Sequence, residues 1–302
     1  MTPGALWKIL ATTNMMVVRF EGDGEPTCNP HFKELVKMCG DLGVRSAMTC
    51  NATLLNKEYV DYLAKYGMSR IHVSFDGAKK DTFEKQRLGA DYEKVLYNCK
   101  LIAKSRIQLF MNVLLSSDEV VDQLPLYAKM AKDVGATGVH FMKYQAENLT
   151  QWRPPDLTRH VGAIKAFEIE AKRLGLLYVS TCREFPTYVG CDDPFVCPYI
   201  LLNNDVYACS YMANLRRTEV YQSEVFPVPY LNYKMGNLED SWMKDVWNND
   251  LYKELRQTLN RKPDTLEISS STLAYTKKRA AVSSRRFAYC SGCLCIWGES
   301  GI

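Results

Sequence analysis

The chain has 302 residues, 47% of them hydrophobic and 24% charged, with a formal net charge of +4. That composition supports one large core, or a core domain with a smaller companion, and excludes a disordered chain. No apolar run is long enough to span a bilayer, no clean signal peptide opens the sequence, and no concentrated basic face marks a nucleic-acid binder, so a cytoplasmic protein with neither membrane nor nucleic-acid partners is expected.

After a short helix-like stretch from Pro3 to Thr12, the sequence alternates strand-like and helix-like segments. Met16–Phe20 reads as a strand. Pro30–Leu42 reads as a helix with Phe32, Leu35, Val36 and Cys39 on one face, Asn29 as its N-cap and Gly43 closing it. Arg45–Cys50 is the next strand, Asn56–Tyr66 the next helix, and Arg70–Phe75 a third strand. Asp91–Lys104 (helix), Ile107–Leu115 (strand), Ser117–Val134 (mostly helix) and Gly138–Met142 (strand) continue the pattern. Beyond the Pro154-Pro155 break come a helix from Asp156 to Leu174 and a last strand, Leu176–Ser180. Repeated strand–helix units imply a parallel α/β sheet, either open and doubly wound or a closed or partial barrel, and periodicity does not separate the two. In both, chemistry sits at the C-terminal strand ends.

The first strand is followed by Glu21-Gly22-Asp23-Gly24-Glu25-Pro26. Its glycines let a ligand approach the backbone closely. A dinucleotide phosphate loop is excluded, because Glu25-Pro26 places a charge and a rigid turn where pyrophosphate would lie. Backbone groups beside a carboxylate suit an amino group instead, and a plain tight strand–helix turn is the alternative. Asn51 follows the second strand, Ser74 and Asp76 end the third with Arg87 beyond, and Asn112 lies within the fourth.

From Pro186 the texture changes to Cys, Pro, Tyr and Asn, so a boundary is placed at Thr181–Pro186, giving domains 1–185 and 186–302. Ser241–Thr258 reads as a helix, and Arg261–Phe287 as a basic, Ser/Thr-rich loop, read as solvated or as a contact for an acidic partner. Of 11 cysteines, six fall between Cys191 and Cys295, which in a reducing compartment points to metal. Cys197 and Cys209 flank a hairpin turning at Asn203-Asn204-Asp205, and antiparallel pairing brings them together. Cys290 and Cys293 form a Cys-x-x-Cys knuckle. These four are the expected ligand set, with Cys191 and Cys295 as further candidates. Spacing alone leaves zinc and a [4Fe–4S] cluster open. Cys28, Cys39, Cys50, Cys99 and Cys182 read as small buried residues.

The order Gly-x-Gly-Glu-Pro, Thr-Cys-Asn-Ala-Thr-Leu-Leu, then Val-Ser-Phe-Asp-Gly followed by Arg87 resembles the radical SAM core. Cys197, the turn, Cys209, Met235-Gly236-Asn237-Leu238, Val246-Trp247-Asn248-Asn249, Leu255-Arg256 and the Cys-x-x-Cys resemble a SPASM/twitch domain. The resemblance implies a partial (β/α) barrel of the radical SAM type, lacking its first strand, plus a small cysteine-rich α+β domain holding an auxiliary [4Fe–4S] cluster. It implies S-adenosylmethionine (SAM) at Gly22, Asp23, Gly24, Glu25, Asn51, Ser74, Asp76, Arg87 and Asn112. It implies a radical SAM enzyme that abstracts hydrogen from a peptide or small-molecule substrate, served by a reductant such as flavodoxin or ferredoxin. Two departures stand out. Ala52 replaces a common glycine, and the family's Cys-x-x-x-Cys-x-x-Cys, which holds the SAM-binding [4Fe–4S] cluster, does not occur. The expectation is a truncated chain. The rival expectations are a cluster-less relative that binds iron–sulfur or transfers electrons, and a structural zinc protein.

Overall fold

A computed structural model of the chain describes residues 1–22, 24–143, 157–180, 197–209 and 234–260. Of these, residues 14–143 and 157–180 form one compact unit, and residues 1–13, 197–209 and 234–260 form a second.

The larger unit is built on β1 (Val17–Phe20), β2 (Arg45–Cys50), β3 (Met68–Ser74), β4 (Gln108–Leu115), β5 (Gly138–Lys143) and β6 (Leu177–Ser180). They lie side by side in chain order, and every neighbouring pair is parallel. That order decides between the two architectures. A doubly wound sheet reverses direction at a switch point, whereas strict sequence order with right-handed crossovers winds all helices onto one side, as in a barrel. The connecting helices are α2 (Phe32–Asp41), α3 (Lys57–Lys65), α4 (Lys80–Gln86), α5 (Tyr92–Ala103), α6 (Asp118–Asp122), α7 (Leu124–Val134) and α8 (Val161–Leu174). Met48, Ile71, Val73, Met111, Val113, Val139 and Phe141 point from the sheet into one core with Val36, Leu63, Ile102, Ala128 and Phe167 of the helices.

Local chemistry places the helix ends. Asn56 and Asp91 cap α3 and α5, accepting from Tyr59 N and Lys94 N. The first long helix starts later than expected. Pro26–Cys28 forms a 3-10 turn, Asn29 Oδ1 accepts from His31 N at 2.9 Å, and α2 begins at Phe32. Ser117–Val134 is two helices broken at Gln123, and α4 is an additional helix, too short to carry a clear period. Cys39, Cys50 and Cys99 are buried, as expected, but Cys28 is exposed, because the 3-10 turn carries no apolar face; Cys182 lies outside the described residues.

The second unit contains α1 (Pro3–Leu10), the antiparallel strands β7 (Tyr199–Ile200), β8 (Asp205–Tyr207) and β9 (Gly236–Asn237), and helices α9 (Met243–Trp247) and α10 (Asp250–Asn260). The helix at the start of the chain thus belongs with this unit rather than with the strand–helix alternation. Lys8 Nζ donates to Leu238 O at 2.6 Å and to Glu239 O at 3.0 Å. The expected helix over 241–258 is again two, parted at Asn248-Asn249, where Asn249 Oδ1 accepts from Tyr252 N.

On the larger unit, His160 bridges to α6. Its Nε2 meets Asp118 Oδ1 at 2.8 Å and its Nδ1 meets Asp122 Oδ1 at 2.9 Å. Both partners are carboxylate oxygens, so both ring nitrogens donate and the ring is an imidazolium. Burial acts to lower its pKa, but the bonds to Asp118 and Asp122 outweigh burial and raise it above 6.5. A folded pKa above the unfolded one stabilises fully below the unfolded value, and the effect fades as pH rises through the folded value. In urea titrations the stability gap between the native protein and His160→Gln is therefore expected to be widest below pH 6.5 and to shrink as pH rises through the raised folded pKa. A gap independent of pH would refute the imidazolium bridge.

Candidate functional site

The C-terminal ends of β1 to β4 bring most of the expected residues together. Glu25 joins two of these ends. Its Oε2 accepts from Asn51 N at 2.7 Å, and its Oε1 accepts from Thr27 N at 3.1 Å and Thr27 Oγ1 at 2.5 Å. The carboxylate thus fixes the turn after β1 against the end of β2. Gly22 has φ +153°, and a Cβ added at Gly24 would meet no heavy atom within 4 Å. Asp23 lies outside the described residues.

Beyond β2, Asn51 Oδ1 accepts from Thr53 N (2.9 Å) and Thr53 Oγ1 (2.7 Å), a local side-chain turn. Ala52 adopts φ +58°, the conformation that glycine takes freely and that costs another residue about 1–2 kcal/mol. Asn98 Nδ2 donates to Ala52 O at 2.9 Å and helps hold it there. The family's turn therefore forms without the glycine.

The end of β3 is locked from behind. Asp76 is 3% exposed, and its two oxygens accept from Arg87 Nε and Leu114 N, both at 2.6 Å. Burial pushes the Asp76 carboxyl up, and Arg87 and the Leu114 N–H pull against it. Asp76 is thus committed to the fold and to aiming Arg87, whose side chain is 32% exposed. Gln123 Oε1 accepts from Ala78 N and Lys79 N, its Nε2 donates to Thr82 Oγ1, and Tyr127 Oη donates to Phe75 O. Gly77 sits at φ +147°, and a Cβ there would lie 2.8 Å from Phe83 N and 3.0 Å from Thr82 Cγ2.

Asn112 is 1% exposed and accepts at Oδ1 from His72 Nδ1 at 2.9 Å. His72 is not among the expected site residues. The rings of His72 and His140 are in fact neighbours, with centroids 6.2 Å apart. The signal lay in the alternation Arg70-Ile71-His72-Val73-Ser74. Parallel strands covered on both faces are near-continuously apolar, so polar residues at every second position mark a face that packs no helix.

In the smaller unit, Tyr199 pairs with Tyr207 and Ile200 with Val206. Extending that register by two residues sets Cys197 opposite Cys209. Asn204 takes φ +66° in the turn, as asparagine tolerates. Asn237 Nδ2 donates to Asp205 Oδ1 at 2.8 Å and to Asn203 O at 3.1 Å, tying β9 to the hairpin. A Cβ on Gly236 would come within 2.8 Å of Val246. Asn249 Nδ2 donates to Met235 O at 2.7 Å, and Arg256 donates to Trp247 O while its guanidinium lies 4.1 Å from the Trp247 ring centre. These contacts build a rigid mount for the hairpin that carries the two cysteines. Cys191, Cys290, Cys293 and Cys295 lie outside the described residues, and among those described no group of three or more metal-ligating side chains occurs. By contrast, burial pushes the Cys39 thiol to about 11, the Cys99 thiol to about 12 and the Cys50 thiol well above 9.0, which makes all three poor ligands. No helix among the described residues is long and apolar enough to cross a membrane.

Gly77→Ala is expected to lower stability by about 2–4 kcal/mol, through the close approach of Phe83 and an unfavourable φ. Gly24→Ala is expected to leave the melting temperature within a degree or two, because its Cβ has open space. Equal losses in the two variants would contradict this reading of the loops.

Comparison with known proteins places both halves. Residues 17–131 match the radical SAM superfamily, and residues 191–294 match SPASM, an iron–sulfur cluster-binding domain. The AdoMet-dependent heme synthase of Methanosarcina barkeri is 23% identical over 283 residues, covering 88% of this chain and 76% of that enzyme. A PqqA peptide cyclase of Bradyrhizobium diazoefficiens is 35% identical over 71 residues, 24% of this chain and 18% of that one. Streptococcus suis SuiB bound to S-adenosylmethionine superposes with a TM-score of 0.66 at 20% identity, over 85% of this chain and 61% of SuiB. The chain belongs to the radical SAM superfamily and carries a SPASM domain.

Proposed function

We propose that this chain binds SAM at the ends of β1 to β4 and an auxiliary [4Fe–4S] cluster through Cys197, Cys209, Cys290 and Cys293, in an enzyme acting by radical chemistry. The observation that carries the reading is the pairing, in one chain, of a pre-built loop cluster at parallel strand ends with an antiparallel hairpin whose register sets two cysteines opposite each other. SAM bound there would, on receiving one electron, break its S–C5′ bond to give methionine and a 5′-deoxyadenosyl radical able to take a hydrogen atom from a substrate, and these residues supply no site for the cluster that would deliver that electron.

The chain's own residues have separable tasks. Gly22, Asp23 and Gly24 offer backbone to the amino group, and Glu25 holds their turn against Asn51. Asp76 aims Arg87 at the ligand's carboxylate, and Ser74 and Asn112 supply polar groups beside it. The hairpin cysteines hold the auxiliary cluster, which contacts substrate or takes up an electron, and Cys191 and Cys295 are further candidates for a place in its four-thiolate set. The domains are divided near residue 185, with residues 1–13 joined to the second, and the enzyme works in the cytoplasm with a flavodoxin- or ferredoxin-type reductant. A peptide substrate is supported by the PqqA peptide cyclases and by SuiB, whose structure with the precursor peptide SuiA has a TM-score of 0.60. A small-molecule substrate is supported by the longer match to the heme synthase.

The 302 residues contain no Cys-x-x-x-Cys-x-x-Cys, so they do not fit a SAM-binding cluster, and no step is assigned through one. The same observation supports a second reading, in which the chain binds iron–sulfur or transfers electrons without cleaving SAM. In the third reading a zinc ion takes the Cys₄ set.

Anaerobic reconstitution with iron and sulfide is expected to give about four irons per chain and charge-transfer absorbance. Replacing both Cys197 and Cys209 by serine should remove most of it. Iron and sulfide content unchanged in that variant would reject the cluster assignment, and a colourless, zinc-retaining chain would favour the third reading. Equilibrium dialysis with labelled SAM is expected to show at least about tenfold weaker binding for Gly24→Ala, whose Cβ would stand in the ligand's approach to the backbone, and for Arg87→Ala, which loses one contact of about 1.4 kcal/mol or more. Undiminished binding in both variants would move SAM away from these loops.

A further inference from the structure

The two faces of the large sheet differ in kind. Met48, Cys50, Ile71, Val73, Leu109, Met111, Val113, Val139 and Phe141 form the face packed by helices. The strand register puts Arg19, Ala47, Thr49, Arg70, His72, Ser74, Phe110, Asn112 and His140 on the other. Polar groups there need partners, and the structure supplies only some. His72 Nδ1 donates to Asn112 Oδ1, which fixes the tautomer and leaves Nε2 as a lone pair. Among the described residues the ring nitrogens of His140 have no hydrogen-bond partner.

Charge on this face is unbalanced. Arg19 and Arg70 are cationic, while Glu21 beside them is the nearby carboxylate, held by Arg19 Nε at 2.6 Å and by Thr49 Oγ1 at 3.1 Å. Arg70 is spread over the Phe110 ring at 4.7 Å and donates to Gln108 Oε1, and Phe110 in turn stacks on His72. We infer that this inner face, at Arg19, Thr49, His72 and His140, with Asn112 orienting His72, binds an oxyanion, namely a carboxylate other than that of SAM, and that binding draws a proton onto the histidine pair. Assigning that carboxylate to the enzyme's substrate rests on the proposed function; the anion site itself does not.

The electrostatics give the coupling its sign. Burial pushes His72 down to about 4, with Arg19, His140 and Arg70 pressing the same way against the bond to Asn112. Burial and Arg19 lower His140 as well. Both rings are therefore neutral at pH 7. An incoming anion offsets the push of Arg19 and supplies an opposite charge, so both pKa values rise and binding tightens as pH falls. A metal cation is disfavoured by the same two arginines.

The test uses the full chain labelled with 13C at histidine, followed by NMR from pH 4 to 8. Titrations are run with sodium succinate, with inorganic phosphate and with sodium chloride at matched ionic strength. Succinate is expected to raise the midpoints of His72 and His140 and not those of His31 and His160, while chloride moves none. Succinate affinity is expected to be at least about tenfold higher at pH 5 than at pH 8. Calorimetry in buffers of different ionisation heat should show proton uptake that His140→Gln reduces. Arg19→Gln, at a side chain 44% exposed, should keep the native melting temperature and bind succinate at least about fivefold more weakly. Midpoints that ignore succinate, or that move equally with chloride, would overturn the site, and a response to phosphate alone would overturn its assignment to a carboxylate. No SAM or cluster enters these readouts, and SAM dialysis on the same sample tests the proposed function separately.

Discussion

A parallel sheet whose strands lie in chain order can receive its connecting helices on one side only, because each crossover is right-handed and none doubles back. Everything else in the large unit follows from that constraint. The helix-covered face can be largely apolar, and it is, with Ser46 a buried polar exception that donates to Met68 Sδ. The other face has no helices to bury it, so its side chains are released from packing and can be chosen for chemistry. The strand ends stand at the rim between the two, where backbone emerges from a rigid ladder into loops.

Those loops are held by polar groups whose own needs are met within the fold. Glu25 and Asp76 are carboxylates in positions where a ligand-binding role suggests itself, yet each spends its oxygens on backbone N–H groups of a neighbouring strand end or on a flanking side chain. Asp76 is the more costly of the two, being almost fully buried, and it is tolerable because Arg87 and Leu114 both meet it. The result is pre-organised loops: Arg87 is aimed by Asp76, and the backbone at Gly24 has open space beside it.

The alternation of strands and helices was legible in the sequence because amphipathic periods and caps such as Asn56 and Asp91 carry it locally. Barrel against doubly wound was not, since strand order is a matter of long-range pairing that no window of residues records. The loop motifs were legible as turns following β1 to β3, but the inward commitment of Asp76 depends on Leu114, 38 residues away. His72 and His140 escaped notice for a related reason. They are 68 positions apart and become neighbours only when β3, β4 and β5 align in register. The cysteine hairpin was readable because its partners are local and its turn residues announce it. The breaks in helices at Gln123 and Asn249 were missed because apolar periodicity runs straight through them.

The tie between Lys8 and the carbonyls of Leu238 and Glu239 spans 230 and 231 residues. During synthesis the first helix leaves the ribosome with the apolar side chains of Ala5, Leu6 and Ile9, which are buried in the finished protein. Its partners near residue 238 do not yet exist. At roughly 5–20 residues per second, the wait lasts on the order of ten seconds or more, while the whole strand–helix unit emerges and can fold. Helix α1 is therefore among the last of these elements to find its place, and its apolar face stays open to chaperones, proteases or unwanted association until then.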